Sequence, residues 1–108
     1  MKTMYELIDG IPVSVERGVA LLDKEVPFWR EMVDWERLDV QSGNDCLGGQ
    51  IGSQFGYDYI DFCELKLGLD RLSARCEHGF TCDSPIVAVK SFHDCFYQML
   101  TLEWKKYR

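Results

Sequence analysis

The residues able to do chemistry in this chain are mostly sulfur and imidazole. Cys76, His78 and Cys82 fall within seven positions, and His93 and Cys95 follow further along. Zinc requires four such ligands converging tetrahedrally, and a thiol nucleophile requires a lowered pKa and a base within hydrogen-bond reach. The spacing supports neither strongly. No Cys-x-x-Cys occurs, and His78 precedes Gly79, where an imidazole commonly binds the last carbonyls of a helix. Cys63, Cys76 and Cys95 fall on apolar faces of predicted helices, where small thiols are ordinary core residues. A small zinc- or thiol-dependent enzyme centred on Cys76, His78, Cys82, His93 and Cys95 therefore stands as the alternative, and the expectation is a protein that is not an enzyme and carries no cofactor or metal.

Other chemical signatures are thinner. Gly48-Gly-Gln-Ile-Gly52 matches neither the dinucleotide fingerprint nor the phosphate-binding loop, and no Lys-Ser or Lys-Thr follows it. Asp58 with Asp61, and Asp61 with Glu64, stand one helical turn apart, but no cationic partner accompanies them and they read as surface acids.

Charge is more informative. The net charge is -6, and between Asp34 and Glu64 seven acids (Asp34, Glu36, Asp39, Asp45, Asp58, Asp61, Glu64) face Arg37 alone. Sequence-independent binding to nucleic acid or to an anionic membrane depends on clustered Lys and Arg, so both are disfavoured. The short basic terminus Lys105-Lys-Tyr-Arg108 reads as a complement to a helix dipole. A patch of acids can steer a basic protein partner or imitate nucleic-acid phosphates, and equally can serve solubility as a solvated face. Aromatic residues beside it make Trp29, Tyr57, Asp58, Tyr59, Asp61 and Glu64 the candidate partner-binding set.

The elements that must position these residues are short and helical. At 108 residues with 46% hydrophobic content, one domain with a single core is expected. No apolar run approaches a membrane span, and the N-terminus lacks the apolar segment of a signal peptide, so reduced thiols in a cytoplasmic setting are expected. Residues 1–13 read as an extended arm, with residues 4–8 and 86–89 compatible with a minor two-stranded element. Ser14 is a predicted cap for a helix over 15–25 that Pro27 stops, and a second helix follows over 28–33. Trp35, Leu38 and Val40 anchor a turn.

The organising stretch is 45–57, read as a helix capped by Asn44 or Asp45, with Leu47, Ile51 and Phe55 on one stripe and Gly48, Gly52 and Gly56 beside it. Glycines inside a helix oppose its formation, so close approach by a neighbour must compensate. A buried Gln50 would need its amide satisfied, most simply by the 41–45 loop. Asp58 caps a helix over 59–67 whose apolar side includes Tyr59, Ile60, Cys63 and Leu67. A helix over 70–78 turns Leu72 and Cys76 inward and ends at Gly79, with Phe80 as an anchor. Ser91 and Asp94 resemble a capping box opening the last helix, which carries Phe92, Phe96, Met99, Leu100 and Trp104. The predicted core is Val19, Leu22, Leu38, Leu47, Ile51, Phe55, Leu67, Phe80, Phe96, Leu100 and Trp104.

Read together, Gly18-Val-Ala-Leu-Leu-Asp23, Pro27, Trp29, Val33-Asp34, Leu38-Asp39, Cys46-Leu-Gly with Gln50 and Gly52, Leu67-Gly-Leu69, Ala74, His78-Gly-Phe80, Leu100-Thr101 and Trp104-Lys105 resemble small proteins encoded by bacteriophages of actinobacteria. The similarity runs from about residue 14 to 106, departing where Cys46-Leu-Gly-Gly-Gln50 replaces a Cys-x-Leu-Gly-Gln pattern. The resemblance implies a phage accessory protein of the host cytoplasm and transfers no catalytic residue. The expectation is thus a mainly α bundle of five or six short helices that binds and modulates or inhibits a host protein, such as a defence nuclease. Self-association through the same face is a structural version of that reading.

Overall fold

The computed structural model describes residues 4–81 and 90–108, with the side chains of Met4, Lys90 and Ser91 outside that description. The fold is mainly α, with no strand among the described residues. Helix α1 spans Met4–Asp9 and α2 Ile11–Glu25; a 3-10 turn covers Trp29–Met32. Helix α3 is Leu47–Ser53, and α4, Tyr59–Asp61, runs directly into a π-helical stretch, Phe62–Lys66. Helix α5 is Leu72–Glu77 and α6 Lys90–Lys105.

The N-terminal segment is not an extended arm. Gly10 adopts a right-handed helical conformation (φ -79°, ψ -14°), and hydrogen bonds from Gly10 N to Glu6 O and from Ser14 N to Gly10 O carry the chain from α1 into α2. Pro12 sits in the first turn of α2, where its missing N–H costs nothing, so Ser14 lies inside the helix and is not its cap. Residues 4–8 are therefore helical and form no strand; their proposed partner at 86–89 lies outside the described residues.

The core is built on α2 and α6 with three tryptophans between them. Trp29 and Trp104 meet edge to face at 5.9 Å, Trp35 lies 5.8 Å from Trp29, and Phe80 packs 5.5 Å from Trp104. Each indole N–H is satisfied, as a buried aromatic with a polar handle requires. Trp29 donates to Asp23 Oδ1 (2.8 Å), Trp35 to the Arg30 carbonyl (3.1 Å) and Trp104 to the Gly79 carbonyl (2.7 Å). The Trp29 bond, aided by the Arg30 guanidinium at 2.8 Å, holds the Asp23 carboxyl below its usual range.

The predicted core residues are buried with one exception. Phe55 is 44% exposed, because α3 stops at Ser53 and the chain has left the core-facing stripe two residues earlier than the sequence pattern implies. Leu72 is likewise exposed, since α5 begins at Leu72 itself and has no preceding turn to aim it inward. Gly79 closes α5 with φ +75°, its N–H reaching Cys76 O while Phe80 N reaches Arg75 O, the paired bonds of a left-handed helix stop.

Helix α3 lies between the 34–45 turn and the 59–66 element. Its cap is Cys46, whose Sγ accepts from Gly49 N at 3.3 Å, in place of Asn44 or Asp45. A methyl group on Gly52 would fall 2.8 Å from Phe62 Cβ, and one on Gly48 2.7 Å from the Tyr59 ring. The glycine edge thus admits the 59–66 element at a distance no side chain permits. On the other flank the buried Gln50 accepts from Asp34 N (2.6 Å) and donates to Asp45 O (2.8 Å) and Asp34 O (3.3 Å). Its amide ties two backbone segments together.

Candidate functional site

Among the described residues the sulfur and imidazole groups do not converge. His78 Nδ1 binds the Ala74 carbonyl at 2.8 Å, at the end of α5 that rests on Trp104. His93 lies eleven residues earlier on α6, about 16 Å along the helix axis. There it stands 3.3 Å from Gln41 Nε2 and 3.5 Å from Asp94. Cys95, two residues beyond His93 and exposed, points about 200° around the helix from it, out of reach of a shared proton. Among the described residues no group of three or more His, Cys, Asp or Glu side chains is placed to hold a metal ion. Cys82 lies outside the described residues.

Cys46 and Cys63 are enclosed. Burial pushes the Cys63 thiol up to about 12 against a hydrogen bond from Tyr59, and burial likewise raises Cys46. Both are thiols and not thiolates at neutral pH, and the thiol is a poor nucleophile. The Tyr59 hydroxyl is also raised, by burial and then by the neighbouring thiols.

An open polar groove of about 440 Å³ runs between the 36–41 turn and α6, lined by Glu36, Arg37, Asp39, Gln41, Asp94 and Thr101 among others. Its floor is fixed by the bond from Val40 N to Thr101 Oγ1 at 3.0 Å. Arg37, the cation of this acidic third, is engaged with Asp45 at 2.9 Å.

The candidate partner-binding set separates into residues that face solvent and residues that hold the fold. Trp29 is fully buried at the centre of the tryptophan cluster and offers no contact surface; its neighbour Phe28, 69% exposed, takes the outward position. Of two adjacent aromatics only one can enter the core, and the 3-10 turn gives that place to Trp29. Tyr57 is half-buried, as is Tyr59, whose ring packs over Gly48 and whose hydroxyl donates to Phe80 O at 3.5 Å. Asp58 is exposed but structural, its carboxylate capping α4 by accepting from Asp61 N at 2.8 Å.

Asp61 and Glu64 do face solvent, and two residues missing from the predicted set stand with them. Ile60 is 42% exposed and Leu65 69%. Positions 60, 61, 64 and 65 share one face of a helix, opposite the fully buried Phe62 and Cys63. Phe55 lies apart from this face, stacked 6.5 Å from the buried Phe62 with Lys66 5.7 Å above its ring. The sequence signal for Ile60 and Leu65 is an apolar residue beside each acid, which helical periodicity alone assigns to the core in the case of Ile60.

No family model, no curated protein and no solved structure matches the chain. The geometry of this surface therefore carries the functional reading.

Proposed function

We propose that the protein is a non-enzymatic binding module, a phage accessory protein that captures and modulates or inhibits a host bacterial protein in the cytoplasm. The observation that carries this reading is the outer face of the 59–66 element, where Ile60 and Leu65 remain in water between Asp61 and Glu64 while the inner face is wholly buried. Exposed aliphatics set among charges are a composition suited to a recognition surface. π-helical stretches also occur often at functional sites. Among the described residues, by contrast, Cys46 serves as a cap, Cys63 as core and His78 as a helix end. A host nuclease is a suitable target class, because a surface of uncompensated carboxylates presents the charge that such an enzyme binds.

Affinity capture from host lysate with tagged protein tests the reading. The wild-type chain is expected to retain a host protein that a double variant, Asp61→Lys with Glu64→Lys, does not. Asp58 is left intact because it caps α4. Equal capture by both proteins, each folded by circular dichroism, would remove the face from the proposal.

A further inference from the structure

The mixed chemistry of the 59–66 face restricts what can cover it. Ile60 and Leu65 occupy one diagonal of the face, Asp61 and Glu64 the other. Among the described residues neither carboxylate has an ion-pair partner within 4 Å; Lys66 leans over Phe55 instead. A purely apolar partner would strip water from two charges and give nothing back, a large desolvation penalty. An anionic partner would be repelled before contact. A second copy meeting this face across a two-fold axis would bring like charges together, since an isologous contact sets the same patch against itself. The remaining complement has aliphatic side chains flanked by cations.

Resting on the binding reading above, we propose that the 59–66 face receives a basic amphipathic helix of a partner protein, its aliphatic stripe against Ile60 and Leu65 and its Lys or Arg side chains against Asp61 and Glu64. From Ile60 to Leu65 the face runs about 7 Å along the axis, which one to two turns of an opposing stripe cover. The apolar contact holds the complex, and the carboxylates set its orientation and quicken its association at low salt.

The test uses the full chain and three labelled peptides of about five helical turns. One carries Leu at helical spacing with Lys on the flanks; the second has the same composition scrambled to erase the stripe; the third has Glu for Lys. Fluorescence anisotropy is expected to show binding of the first peptide alone, weakening as salt rises. Leu65→Asp, at a position 69% exposed and with its fold checked by circular dichroism, and the Asp61→Lys, Glu64→Lys pair should each weaken it by about tenfold or more, the loss typical of an interface anchor. Equal binding of both basic peptides, no binding of the striped one, or binding indifferent to Leu65→Asp would each overturn the partner class. If the striped peptide fails while lysate capture still depends on Asp61 and Glu64, the binding face stands and only its occupant is wrong. Concentration-dependent sedimentation abolished by Leu65→Asp would assign the face to a second copy and overturn the inference.

Discussion

Gln50 is a polar side chain enclosed in a helix otherwise made of glycine and aliphatics, and it is tolerable only because every bond it makes goes to backbone. Removing the amide orphans Asp34 N, whereas the Asp34 and Asp45 carbonyls keep the bonds they accept from Arg37 N and Asp39 N. Gln50→Leu should therefore lower stability by about 1–3 kcal/mol, the cost of one unsatisfied group, as read from urea unfolding; unaltered stability would show that the clamp is dispensable. That Gln50 needed partners was legible from its place among apolar neighbours, and the Asp45 carbonyl lies in the loop expected to supply them. The Asp34 bonds were not legible, because they join positions sixteen residues apart through a turn with no periodicity.

The thiols give a second prediction at this scale. Alkylation of the native protein at neutral pH should label exposed Cys95 and spare Cys46 and Cys63 until denaturant is added, as followed by peptide mass spectrometry. Because the folded chain raises Cys63 from 9.0 to about 12, its neutral form is favoured by folding. The associated stability is fully present below about pH 9 and is lost as pH rises from there toward 12. Cys63→Ser should flatten that alkaline decline. A decline as steep in the variant would place its origin elsewhere.

At the scale of the element, α3 is held by what approaches it and not by its own propensity. Alanine would favour an isolated helix over glycine by about 1 kcal/mol. Here Gly52→Ala drives a methyl into Phe62 Cβ at 2.8 Å, and overpacking of that kind costs about 1–3 kcal/mol. The variant should be less stable in thermal melts, against the direction of helix propensity; a stabilised variant would mean that the 59–66 element can back away. The glycine edge and its close neighbour were readable from Gly48 and Gly52 at helical spacing. The helix ends were less so. Cysteine is an uncommon cap, and Asn44 and Asp45 drew the boundary outward. The joint at Gly10 was missed because Asp-Gly followed by Pro signals a turn, while both residues also suit the junction of two helices once α1 can pack on α2 and α6.

At the scale of the molecule, the entire net charge of -6 belongs to the third of the chain between Asp34 and Glu64. The structure divides those acids by function: Asp45 is paired with Arg37, Asp58 caps a helix, and Asp61 and Glu64 remain uncompensated beside Ile60 and Leu65. Composition could show the excess of charge but not which carboxylates are spent on the fold, since that depends on contacts between segments. Nor could it separate Phe28 from Trp29, which differ only in which side of a 3-10 turn they occupy. No helix among the described residues is long and apolar enough to cross a membrane; the exposed aliphatics of the 59–66 face are the surface proposed above to receive a protein partner.

Hydrogen exchange on the complex between this chain and its captured host protein tests that claim most directly. Binding through the proposed face should slow exchange in peptides covering residues 55–66 and leave the 36–41 turn and α6 unchanged. Slowed exchange confined to that turn and α6, with residues 55–66 as fast as in the isolated protein, would contradict it.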